Sequence, residues 1–197
     1  MTDILVLYYS RGGSVAELAR HVCRGIESVP GAAARLRTVP PVAPVTQVAE
    51  PPVPESGAPF ATLDDLRDCD GLVMGSPTRF GNMGAPLKHF LDTTGGLWVS
   101  GAMVGKPAAV FTSTQTQHGG NESTLISMML PLLHHGMLLV GLPFTEPGLQ
   151  RTTTGGSPYG ASHVHGTVKS VQLSDDEKEL AQRLGQRVAE IARKLRS

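Results

Sequence analysis

Short apolar runs, each closed by a polar or glycine-rich stretch, recur along the chain. Ile4-Leu5-Val6-Leu7-Tyr8-Tyr9 is unbroken apolar sequence running into Ser10-Arg11-Gly12-Gly13-Ser14, the pattern of a strand buried on both faces of a parallel sheet as it enters a turn. Val15, Leu18, Ala19, Val22 and Ile26 then keep helical spacing, and Ser14 followed by Glu17 has the form of a capping box. The first unit is therefore strand, loop, helix.

The unit recurs without sequence repetition. Strand-sized runs stand at Gly71–Gly75 before Ser76-Pro77-Thr78, at Ala108–Phe111 before Thr112-Ser113-Thr114, and at Met137–Val140, with a weaker strand at Ala34–Val39. Helical segments are expected near Leu63–Arg67, Gly84–Thr94 and Glu122–His134, and Met128-Met129 falls within the last of these as core. A final helix opens at Ser174-Asp175-Asp176-Glu177, a second capping-box pattern, with Leu180, Leu184, Val188, Ile191 and Leu195 as its apolar stripe. Alternating strands and helices predict an α/β fold, a doubly wound parallel sheet covered on both faces. Pro40–Pro59 and Gly141–Gln172 exceed the usual connection of about 4 to 6 residues and are expected to be functional or mobile.

The chain has 197 residues, which fits a single domain spanning 1–197 with a sizeable core. Lysine plus arginine and aspartate plus glutamate number 17 each, so no long-range field favours nucleic acid, an anionic membrane or a charged protein partner. A small-molecule ligand fits this balance better. Cys23 and Cys69 lack metal or dithiol spacing, and the first apolar run is too short for a signal peptide or a spanning helix. A cytoplasmic protein is expected. His163-Val164-His165 offers two metal-type ligands without a third at a sensible spacing, and no metal is assigned.

In an open parallel sheet, ligands bind beyond the carboxyl ends of the strands, where the polar loops fall. Ser10, Arg11, Gly12, Gly13, Ser14 and Val15 join a strand to a helix N-terminus with two glycines and two hydroxyls, a setting that suits a phosphate. The loop lacks both the Walker lysine and the G-x-G-x-x-G fingerprint, so a monophosphate is the better fit; a tight turn with an ordinary cap reads equally well. Pro77, Thr78, Arg79 and Phe80 combine close-approaching backbone, hydrogen-bonding groups and an aromatic ring. A flat heteroaromatic such as an isoalloxazine needs edge donors and an apolar face, for which Phe80 or Trp98 would serve. Arg79 could instead pair with a surface carboxylate.

Tyr8-Tyr9-Ser10, Ser76-Pro77-Thr78-Arg79-Phe80-Gly81-Asn82, Phe90–Trp98, His134-His135-Gly136-Met137 and Gly156–Ala161 together resemble the WrbA family of flavodoxin-like NAD(P)H:quinone oxidoreductases, along the whole chain. The P-T-R-F-G-N and T-G-G-L-W segments are specific as a pair. The resemblance implies a five-stranded flavodoxin-like sheet of order 2-1-3-4-5, FMN as cofactor, NADH or NADPH as electron donor, and a quinone reduced by two electrons in ping-pong order. It implies that Ser10–Val15 hold the FMN phosphate, that Pro77, Thr78, Arg79 and Phe80 contact the ring, and that Ser113, Thr114, Gln115, Thr116, Gln117 and His118 border its other side. His134 would stand beside the flavin near its N1 and C2 edge, and Trp98, Phe80 and His134 would line the substrate pocket. Family members are typically homotetramers whose sites involve neighbouring chains.

Three segments depart from the family pattern. Gly12 replaces an aromatic residue associated with the nicotinamide side, Gln115-Thr116-Gln117-His118-Gly119-Gly120 is less glycine-rich and one residue longer, and the approach Gly141–Gly156 differs. Two other function classes are compatible with the fold: a flavodoxin-type electron carrier, against which the balanced charge counts, and a flavin-free interaction module.

Overall fold

The computed structural model describes residues 1–42, 57–167 and 171–196. In chain order the elements are β1 (Thr2–Tyr8), α1 (Ser14–Glu27), β2 (Ala32–Thr38), α2 (Leu63–Asp68), β3 (Gly71–Arg79), β4 (Asn82–Met83), α3 (Ala85–Asp92), α4 (Gly95–Val99), β5 (Pro107–Thr114), α5 (Asn121–His134), β6 (Leu138–Leu139), α6 (Pro147–Arg151), β7 (Ala161–Val164) and α7 (Asp175–Leu195). The sheet runs β2-β1-β3-β5-β6, with β4 paired to β3 and β7 paired to β5. All pairings except the β3–β4 hairpin are parallel.

Alternation along the strands explains why β1 reads as continuously apolar. Ile4 and Val6 join Val73 and Phe111 in one core, under Leu18 and Val22 of α1 and Leu184 and Val188 of α7. Leu5 and Leu7 join Leu72, Met74 and Val110 in the other, under Leu87 of α3 and Leu125 and Met128 of α5. Both faces are buried, so neither can be polar. Each such side chain contributes about 1.5–3 kcal/mol through burial. Helices α1 and α7 approach unusually closely: a Cβ on Gly25 would lie 1.7 Å from the Gln182 carbonyl oxygen, and one on Gly185 would lie 2.2 Å from that of Val22.

The sequence reading and the fold differ in four places. The Ser14–Glu17 capping box does not form. Gly13, at φ 91°, is itself the N-cap and makes no side-chain cap bond, so Ser14 is already helical and its hydroxyl is free for other partners. Glu17 turns instead to Arg20 and to His21, 3.6 Å away. By contrast Ser174 and Glu177 do form their capping box, and Thr62 with Asp65 forms another.

The fifth strand position is divided. The Met137–Val140 run supplies only the two residues of β6, exposed at the sheet margin, while β7 pairs with the carboxyl half of β5. The order 2-1-3-4-5 thus holds for the sheet, with its last place shared by two short strands. Gly141–Gln172 is accordingly structured in large part, carrying α6 and β7. Short helix α4, bearing Trp98, lies beyond the expected end of the Gly84–Thr94 helix. Most of Pro40–Pro59 falls outside the described residues; at its end the Pro59 carbonyl accepts from the Thr38 amide at 3.0 Å.

Candidate functional site

Parallel pairing brings the carboxyl ends of β1, β3, β5 and β7 to one end of the sheet. Pro77 stands beside Ser113, and Thr114 beside Val164. Between their loops lies a cavity of about 450 Å³, lined by Ser10, Arg11, Gly12, Ser14, Val15, Pro77, Thr78, Arg79, Ser113, Thr114, Gln115 and His165. That volume is within the range of small-molecule sites. Two arginines and several hydroxyls contribute to the wall, and no carboxylate does.

The first loop is shaped by Ser10, whose Oγ accepts from the amides of Gly13 at 3.2 Å and Ala16 at 3.3 Å. Among the described residues nothing in the chain accepts from the amides of Ser14 and Val15, the first two of α1. A helix start whose donors lack partners is an anion seat. The absence of the expected capping box therefore strengthens the phosphate reading of this loop.

The second loop leaves β3 through Thr78, whose hydroxyl is 2.5 Å from that of Thr124 on α5. Arg79 donates from Nη1 to the Thr78 carbonyl at 2.7 Å, which holds the guanidinium at the cavity edge, without a carboxylate partner among the described residues. Phe80 has φ 52°, the one left-handed non-glycine residue among those described, and its ring is fully exposed. Such a backbone costs about 1 kcal/mol or more, and here it turns an aromatic face into solvent beside the cavity. On the outer side of Arg11 and Arg79 a second depression, of about 570 Å³, extends past Tyr9 and Met83 to Lys88.

In the third loop Ser113, Thr114 and Gln115 line the cavity. Thr116, Gln117 and His118 continue the turn beyond that lining. The Thr116 carbonyl accepts from the Thr114 hydroxyl at 2.8 Å, and the Gln117 carbonyl from the Asn121 side-chain Nδ2 at 3.3 Å. His165 is the cavity residue that sequence reasoning did not assign to the site. Its Nδ1 lies 3.3 Å from Ser14 Oγ, and its own amide donates to Thr114 at 2.9 Å. The signal was the histidine pair itself, weighed only as metal ligands and left unassigned, because the pairing of β7 with β5 was not visible in the sequence.

Trp98 and His134 are not at this cavity within one chain. Helix α5 runs back antiparallel to β5, and its 14 residues span about 20 Å, so His134 lies near the amino ends of the strands. There Leu91, Asp92, Thr94, Gly95, Trp98, Pro131, His134 and His135 line a separate depression of about 440 Å³. His135 Nε2 is 2.9 Å from Thr94 Oγ1, and burial together with neighbouring His134 holds the His135 imidazole below its ordinary pKa. Trp98, Val99, Val104, Leu130 and Leu133 are exposed at this end, more apolar surface than scattered exposure explains.

The two thiols line none of these depressions. Burial pushes Cys23 up to about 12 and Cys69 up to about 11, so both are inert at neutral pH. Among the described residues no helix is long and apolar enough to cross a membrane.

Residues 4–144 match the family model of NADPH-dependent FMN reductase. The chain is 44% identical over 202 residues to a protein of Solidesulfovibrio magneticus named NAD(P)H dehydrogenase (quinone), covering 99% of this chain and 100% of that one. A Syntrophobacter fumaroxidans protein of the same name is 46% identical, with 98% of each chain covered. Among solved structures, a flavodoxin, WrbA-like protein from Agrobacterium tumefaciens superposes with a TM-score of 0.69 at 22% identity, covering 98% of this chain and 99% of that one. A flavodoxin from the domain Archaea gives 0.64 at 21%, again over 98% and 99%. These two structures carry the flavodoxin-like fold, and the sequence matches carry the relationship: the chain belongs to the NADPH-dependent FMN reductase family.

Proposed function

We propose that this protein is an FMN-dependent NAD(P)H:quinone oxidoreductase. The observation that carries the reading is the start of α1: unpartnered amides and the Ser14 hydroxyl face a carboxylate-free cavity closed by the loops after β3 and β5. The donor set suits a phosphate monoester, and the adjoining slot between Thr78, Arg79 and Thr114 suits a flat ring. FMN fits these residues, and the names of the 44–46% identical relatives supply the donor and acceptor.

When bound, FMN supplies two-electron chemistry between a reduced nicotinamide and a quinone. The protein's part is to hold and orient. Ser10, Arg11, Gly12, Gly13, Ser14 and Val15 would seat the phosphate, Pro77, Thr78 and Arg79 would contact the ring, and Ser113–Gln115 would border its other side. Phe80, exposed next to Arg79, would offer an aromatic face to a planar substrate. One open slot would take both substrates in turn, which is ping-pong order.

The resemblance places Trp98 and His134 at the flavin, whereas a single chain holds them in a separate depression, with His134 at the far end of α5 from the cavity. A homotetramer reconciles the two: the exposed apolar end bearing Trp98 and His134 covers the cavity of a neighbouring subunit, walls the substrate slot and brings an imidazole donor to the ring edge. The chain acts as a single cytoplasmic domain on small molecules, without nucleic acid or membrane.

The reading is tested by loading the purified protein with FMN, removing excess, and following flavin absorbance under low oxygen as NADH or NADPH and then benzoquinone are added. Bleaching by the nicotinamide and recolouring by the quinone are expected. Bound flavin that neither nicotinamide bleaches would make the protein an electron carrier, and failure to retain FMN would overturn the cofactor assignment.

A further inference from the structure

His165 follows β7 and stands between two loops that the cofactor reading assigns to different parts of FMN. Its amide donates to Thr114, and the next amide, of Gly166, donates to Gln115 at 3.0 Å. The Gln115 side chain in turn reaches the Gly166 carbonyl. This double tie fixes the 164–166 backbone against the loop after β5, while the His165 ring reaches across to Ser14 on α1 and forms part of the cavity wall.

The segment is also held from behind. His163, two residues earlier and on the same side of the strand, is 2% exposed, and its Nδ1 is 2.9 Å from Glu177 on α7. Glu177 accepts as well from the amides of Gly155, Val164 and Ser174. The His163 and His165 rings meet edge to face at 5.9 Å, so His165 packs against a side chain held by a buried hydrogen bond. An imidazole held this firmly at a cavity wall is preorganised for a ligand.

The geometry points to His165 as a direct ligand of the FMN phosphate, an assignment that rests on the cofactor reading above. In the tautomer in which the Ser14 hydroxyl donates to Nδ1, Nε2 carries a proton, and among the described residues no acceptor takes it. Nε2–H and the Ser14 and Val15 amides then serve one anion. The residue thereby selects the phosphorylated flavin over riboflavin, which shares the ring but has no charge for this donor to meet.

The test is a fluorescence titration of flavin-free protein with FMN and, separately, with riboflavin, for wild type, His165→Ala and His165→Gln. Thermal melts of the apo-proteins check folding. Wild type should prefer FMN; His165→Ala should lose about tenfold in FMN affinity while riboflavin binding stays unchanged, and His165→Gln, which keeps a neutral donor near Nε2, should recover most of the loss. Unchanged FMN affinity in His165→Ala, equal losses for both flavins, or a glutamine variant as weak as the alanine one would each overturn the assignment. Wild-type protein that binds neither flavin would overturn the cofactor reading itself, a result distinct from those three.

Discussion

The His163 ring and the Glu177 carboxylate meet at 2.9 Å with both side chains almost wholly shielded from water. Their contact ties β7, the strand that completes the cavity wall, to the first turn of α7. Burial alone pushes the Glu177 carboxyl up, but the His163 hydrogen bond and the Ser174 and Val164 amides more than offset it and hold the carboxyl below its ordinary value of 4.5. A carboxylate with four donors is well satisfied, whereas its removal strands all four.

Glu177→Ala is therefore expected to lower unfolding free energy by about 3 kcal/mol or more, the usual cost of breaking a buried pair, measured by urea denaturation at pH 7. The pH dependence has a definite sign. A group whose folded pKa is depressed contributes stability above its unfolded pKa and loses it as pH falls through the folded value. The advantage of wild type over Glu177→Gln should thus be full at pH 6 and shrink below about 4.5. A constant difference from pH 6 to pH 3 would show that the ionised carboxylate is not what stabilises this corner.

Much of this was legible beforehand, and the reasons are local. Ile4–Tyr9 announces a doubly buried strand because alternate residues face two different cores. Ser174 and Glu177 announce a helix start because the capping box is built from adjacent sequence. Ser14 and Glu17 have the same spelling, yet Gly13 enters the helix from a left-handed conformation and displaces the cap by one residue; spacing cannot show φ. His165 was hidden for a longer-range reason. Its role depends on β7 pairing with β5, some 50 positions earlier in the chain, and nothing between them carries that register.

The approach of α1 to α7 gives a sharp stability contrast. Gly185→Ala would place Cβ 2.2 Å from the backbone oxygen of Val22, an obstacle that no rotamer change relieves. A loss of about 2 kcal/mol or more is expected as the helices separate. Gly96→Ala in α4 meets nothing within 4 Å and should be neutral or stabilising by about 0.5 kcal/mol. Thermal melts of both variants decide the matter, and equal melting temperatures would contradict the packing described.

The two glycines of the first loop should respond differently to the same substitution. Gly13 has φ 91° and a Cβ there would touch Val171 at 3.4 Å, whereas a Cβ on Gly12 would meet nothing within 4 Å. Forcing an alanine into the left-handed region costs about 1–2 kcal/mol, and relaxation of that strain would re-aim the Ser14 and Val15 amides. Gly13→Ala is expected to weaken FMN binding about tenfold, with Gly12→Ala near wild type; equilibrium titration of both apo-variants measures it. Equal affinities would mean that the loop conformation does not set the phosphate seat.

The separation of the two depressions predicts a result that a self-contained site cannot give. If Trp98 serves a neighbouring subunit, a chain defective in the phosphate loop still lends a sound tryptophan, and a Trp98→Ala chain still binds FMN. Gly13→Ala and Trp98→Ala proteins, each impaired alone, should regain part of their NAD(P)H:quinone turnover when co-refolded, because some mixed assemblies pair an intact loop with an intact Trp98. A chain carrying both substitutions, co-refolded with wild type, provides the matched control for dilution. Trp98→Ala alone should retain FMN and raise the quinone KM several-fold, the mark of lost substrate contact. Mixtures no more active than the average of their parents would place Trp98 outside the shared site, and the apolar end of the sheet would then need another occupant.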